Sequence, residues 1–140
     1  MTAVFLISIS GWIAVNLIGL EVVLPYVYRR GWLSRWLRVE QFFQQPYLAR
    51  MWPHYWLGYL LLALSVLHSV LPMRPGGLRG QNMTGIWLGT LGLAALLLQT
   101  VLGLYLQDTA LRERRPMRSW HYWLMFLVIL TVSVHVWLNG

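Results

Sequence analysis

The chain has 140 residues, 58% of them hydrophobic and 11% charged, a balance that excludes an ordinary water-soluble domain. Its net charge of +7 comes from eleven arginines and no lysine; they lie between apolar runs, so membrane topology explains them better than nucleic acid does. There is no cysteine, which excludes disulfides, thiolate zinc sites, cysteine-bound iron–sulfur clusters and covalently attached c-type haem.

Four runs are long and apolar enough to span lipid, near Ala3–Tyr28, Pro53–Leu71, Thr84–Leu106 and Ser119–Leu138. The first has no basic leader, and arginines follow it rather than precede it, so it reads as a retained transmembrane helix and not a signal peptide. It ends around Pro25-Tyr26 and carries Asn16 and Glu21. Glu21 is the only carboxylate well inside a span, and an ionisable group at that depth is costly enough to be a functional candidate. The plainer reading is a glutamate near a helix end, protonated or paired with a loop arginine.

The loop after the first run holds Arg29, Arg30, Arg35, Arg38 and Arg50. Within it Trp32, Leu33, Trp36, Leu37 and Phe43 recur at three- and four-residue spacing among Arg35, Arg38 and Gln41, the pattern of a short amphipathic helix lying on the membrane surface or docking a partner. The second run opens at Pro53, suited to a first helical turn, and stops at Pro72, before the turn-forming stretch to Gly77. The third run has Gly85, Gly89, Gly92 and Gly103, which suit either helix packing or the close approach of another surface. The loop from Asp108 to Arg118 carries four arginines, and the fourth run follows. Five arginines between the first two runs and four between the last two, against two between the middle pair, place the first and third loops in the cytoplasm and both termini on the opposite side. The expected fold is an all-α, transmembrane four-helix bundle, a single domain over residues 1–140, with the interfacial helix between the first two spans.

All four histidines fall in one repeated pattern. His54-Tyr55-Trp56-Leu57 is followed by His68, and His121-Tyr122-Trp123-Leu124 by His135, both at 14-residue spacing. On a helix 14 residues rise about 21 Å and end only about 40° short of four turns, so each pair shares a face. One helix separates the second run from the fourth, so the two run in the same direction. The matched-depth pairs are therefore His54 with His121 and His68 with His135. Two facing imidazoles are what a six-coordinate haem iron takes. Gly89 and Gly103 are also 14 apart, on the antiparallel helix between, where a porphyrin edge would press. The competing readings are histidines that bridge helices or bind another metal; a zinc or copper transporter would want more polar ligands near the midplane.

With these residues in place the chain resembles the N-terminal four-helix core of cytochrome b, from the quinol–cytochrome c oxidoreductase complexes. That core has histidines 14 apart on its second and fourth helices and glycines facing the haems. The likeness spans nearly the whole chain. It departs where Gly11 and Gly19 stand eight apart, in its short arginine-rich loops, and in having no counterpart of the family's C-terminal domain. A ferric-reductase-like membrane core is a second resemblance, without its flavin and nicotinamide domain.

The reading implies two non-covalent b-type haems, ligated by His54/His121 and His68/His135. Arg50 and Arg118 are placed to meet the propionates of the first, and Arg74 or Arg79 those of the second, unless they serve topology alone. Ring nitrogens not on iron need acceptors, for which Ser65, Thr131 or backbone carbonyls are available. The expected role is a dihaem cytochrome subunit in a bacterial inner membrane, passing electrons between quinone or a partner redox subunit and an acceptor, with lipid around it and no nucleic acid. Glu21 would carry the proton if quinone is the partner. The alternatives are a stand-alone membrane oxidoreductase acting on quinone, superoxide or ferric iron, and a haem-free anchor subunit.

Overall fold

The computed structural model describes residues 2–30, 46, 49, 51–73, 80–107 and 114–139. They form four α-helices: α1 (Thr2–Arg30), α2 (Trp52–Val70), which closes in a 3-10 turn at Leu71–Met73, α3 (Met83–Gln107) and α4 (Arg114–Asn139). All four are long and apolar enough to cross a bilayer, and no strand occurs among the described residues. The chain is an integral membrane protein with an all-α, four-helix bundle. The interfacial helix expected between the first two spans lies outside the described residues, as do Arg50, Arg74 and Arg79.

Two helix ends differ from the sequence expectation. α1 does not stop at Pro25 but continues through it to Arg30. A proline removes one N–H, here the one that would reach the Glu21 carbonyl, and that single loss is tolerated where neighbouring helices cover the site. α4 starts at Arg114, more than a turn before Ser119. Pro116 falls in the first turn, where no intrahelical N–H bond is required. The Arg114 guanidinium donates to the Leu106 carbonyl at 2.5 Å, satisfying an orphan acceptor at the end of α3.

At the other end of α3, Gly80 takes a positive φ of 78° and turns the chain into the helix. Asn82 then caps it, its Oδ1 accepting from the N–H of Thr84 at 2.9 Å and of Gly85 at 3.3 Å. Asn139 locks the same corner from α4. Its Oδ1 accepts the Asn82 N–H at 2.6 Å and its Nδ2 donates to the Asn82 carbonyl at 3.2 Å.

The helices pack as two antiparallel pairs, α1 on α2 and α3 on α4, joined where α2 meets α3. α2 and α4 approach through their backbones at most at isolated points. Apolar side chains point outward over the bundle, with Phe5, Trp12, Trp87, Leu98, Tyr105 and Trp137 all exposed, as a lipid-facing surface requires. The inner core is small: Ala14, Leu17, Ile18, Leu61, Ala95, Leu96 and Val128.

Candidate functional site

The core residues and the histidines share one register. Leu61 lies seven residues from both His54 and His68, Val128 seven from both His121 and His135, and Leu96 seven from both Gly89 and Gly103. A seven-residue step is close to two helical turns, so each helix repeats the same face three times. Leu61 and Val128 are the most deeply buried large side chains, each 1% exposed. They form an apolar layer at mid-depth, with a histidine layer above and another below.

In one layer the ring centres of His54 and His121 are 6.4 Å apart, with the ring planes at 79°. In the other, His68 and His135 are 6.2 Å apart, at 87°. Two imidazoles facing each other across one metal ion have centres about 6.3 Å apart, from metal–nitrogen bonds of about 2 Å and about 1.15 Å from nitrogen to ring centre. Two rings sharing a direct hydrogen bond of about 2.9 Å would come closer, to about 5.2 Å. Both observed separations match the first geometry and exceed the second.

The helix beside each histidine orients its ring. On the α1 side, His68 Nδ1 lies 3.1 Å from the Ile7 carbonyl and 3.1 Å from Ser10 Oγ, whose hydroxyl also donates to Ile7 O at 2.9 Å. Further along α1, the buried Glu21 places a carboxylate oxygen against Nδ1 of the half-buried His54. On the α3 side, His135 Nδ1 donates to the Gly85 carbonyl at 2.7 Å. His121 Nδ1 is buried beside the Gln99 backbone carbonyl without a well-formed bond. A carbonyl only accepts, so the Nδ1 atoms of His68 and His135 carry the proton and their Nε2 atoms carry lone pairs. Two such rings have no proton to share with each other. They are a pair of donors for one electrophile.

Glycines give the rings room. A Cβ on Gly89 would lie 2.9 Å from His135 Nδ1, one on Gly11 3.0 Å from His68 Cε1, and one on Gly103 3.5 Å from His121 Cε1. Gly92 faces Thr131 and Gly85 faces Asn139 and Leu138, which lets α3 and α4 approach closely. Gly19, the other glycine expected on α1, has open space around it. Beside the first layer a cavity is lined by Glu21, His54, Tyr59, Gln99, Gly103 and His121, among others. Glu21 Oε1 and Gln99 Oε1 are both buried without a hydrogen-bond partner; the Gln99 amide instead donates to Met125 Sδ at 3.2 Å. Facing imidazoles and cradles that a Cβ would fill fit a group held between two ring nitrogens. Among the described residues no group of three or more His, Cys, Asp or Glu converges, so a tetrahedral zinc site is not formed from them.

The side chains expected as ring acceptors do not play that part. The Thr131 hydroxyl bonds to the Leu127 and Val128 carbonyls of its own helix, at 2.8 and 3.1 Å, and His68 is met by α1 rather than by Ser65. A serine or threonine one turn away bonds its own helix more readily than a ring on the same helix. Arg118 is exposed on α4, three residues before His121. Sequence reasoning missed Ile7, Ser10, the Gly85 carbonyl, Gln99 and the Asn82–Asn139 lock. One signal was available: Ile7, Ala14 and Glu21 repeat the seven-residue step of the histidine helices.

No protein-family model, no curated protein and no solved structure matches the chain.

Proposed function

We propose that the chain is a dihaem b-type membrane cytochrome that carries electrons across the bilayer, between quinone or a partner redox subunit at one face and an acceptor at the other. The observation that carries this reading is the pair of histidine layers, with ring centres 6.4 and 6.2 Å apart and Nδ1 atoms turned to the neighbouring helices. His54 and His121 would hold one haem and His68 and His135 the other. A haem held by two imidazoles supplies one-electron chemistry with no open iron position.

The chain's own residues do the positioning. Ile7, Ser10, Glu21 and Gly85 fix ring orientation, Gly11, Gly89 and Gly103 leave space at the rings, and Leu61, Leu96 and Val128 keep water from the mid-depth between the layers. Arg118 is the described candidate for a propionate of the first haem, with Arg50 and Arg74 the further candidates. The arginine distribution supports a cytoplasmic position for the first and third loops, as in a bacterial inner membrane. A reduced-minus-oxidised absorbance spectrum of the purified chain tests the reading. Bands of a low-spin b-type haem are expected, and a featureless difference spectrum would leave only a haem-free anchor.

A further inference from the structure

The two layers differ in what meets the Nδ1 atoms: both rings of one layer bond backbone carbonyls, and neither ring of the other does. His68 and His135 give their Nδ1 protons to neutral backbone carbonyls, and His121 lies beside one. His54 alone faces a carboxylate. Glu21 is 5% exposed, and the chain's other acidic residues, Glu40, Asp108 and Glu113, all lie outside the four expected spans. Among the arginines whose side chains are described, Arg114 is engaged with the Leu106 carbonyl, and Arg115 and Arg118 are exposed. Exposed charges are screened by water and salt, whereas a buried one acts through a low-dielectric surrounding.

We propose that Glu21, by holding His54 Nδ1, makes the His54/His121 haem the lower-potential member of the pair, so that electrons run from that layer to the His68/His135 layer. This rests on the haem reading above and gives it a direction. A carboxylate accepting the Nδ1 proton forms a charge-assisted bond, roughly twice as strong as one to a neutral carbonyl, and makes the imidazole a more basic ligand. A more basic ligand and a buried negative charge both favour the more positively charged, oxidised iron. Both effects act on one layer only. Glu21 is a positioning residue here: it acts through His54. With the first loop in the cytoplasm, electrons enter at the cytoplasmic face and leave outward.

Potentiometric titration of the purified protein tests this, with haem content measured on every variant. His54→Ala and His121→Ala each delete the wave of the first layer, and the deleted wave is expected to be the lower of the two. Glu21→Gln keeps side-chain shape and is expected to keep two haems. It should move that same wave upward by at least about tenfold in its electron equilibrium, 59 mV for a one-electron couple, and leave the other in place. Glu21→Asp restores a carboxylate and should move it back in part. The proposal is overturned if the deleted wave is the higher one, or if Glu21→Gln moves neither wave or both. Absence of haem from the unaltered protein would instead overturn the parent reading.

Discussion

At the scale of single residues, the glycines around the rings are not equivalent. An alanine at Gly89 would press on His135 Nδ1 at 2.9 Å, and that atom cannot retreat without breaking its 2.7 Å bond to the Gly85 carbonyl. Overpacking of this kind costs about 1–3 kcal/mol. Gly89→Ala is therefore expected to lose most of the haem from the His68/His135 layer. An alanine at Gly103 meets His121 Cε1 at 3.5 Å, an ordinary contact, so Gly103→Ala keeps haem while Gly103→Leu loses it from the other layer. Gly19→Ala meets nothing and should leave haem content unchanged, with a gain in helix propensity of up to about 1 kcal/mol. Haem content per layer, read from the two redox waves, checks all four. Equal retention in Gly89→Ala and Gly19→Ala would show that the ring at Gly89 has room to move.

At the scale of elements, the bundle depends on a thin apolar layer and one locked corner. Leu61 is 1% exposed between two histidine layers, so Leu61→Ala removes packing at the centre of the α2 face and is expected to cost about 2–5 kcal/mol. A large fall in thermal unfolding midpoint in detergent is predicted, and an unchanged midpoint would show that the layer is not a core. Asn82→Ala removes the α3 cap, at a cost of about 0.5–2 kcal/mol, with both haems retained. The same unfolding assay measures it. These elements also mark what was legible in the sequence. The four spans were, because a run of apolar residues long enough for lipid admits almost no other structure. The helix ends were less so: Pro25 reads as a stop until neighbouring helices tolerate its missing N–H, and Pro116 reads as loop until it falls in a first turn. The facing of His54 with His121 followed from a 14-residue step and helix direction. The partners of the Nδ1 atoms did not, because a backbone carbonyl at Ile7 or Gly85 has no side-chain signature, and Glu21 could be placed at a depth but not against a ring.

At the scale of the whole molecule, two helix pairs hold two histidine layers about 21 Å apart by helix rise, two-thirds of a bilayer's hydrocarbon depth. If the layers hold the proposed haems, one electron passing between them would couple to the membrane potential by roughly 1.5 kcal/mol per 100 mV. Leu61, Leu96 and Val128 lie between the layers, so the two sites are expected to fill independently. His68→Ala should remove one haem and spare the other, and His54→Ala the reverse; loss of both from a variant still folded in the membrane would show that the layers assemble as one unit. The most direct test of the central claim is a pyridine haemochrome assay set against protein concentration. The account predicts two haems per chain, both extractable with acidified solvent because no cysteine can tether them. One haem per chain, or none, would contradict it.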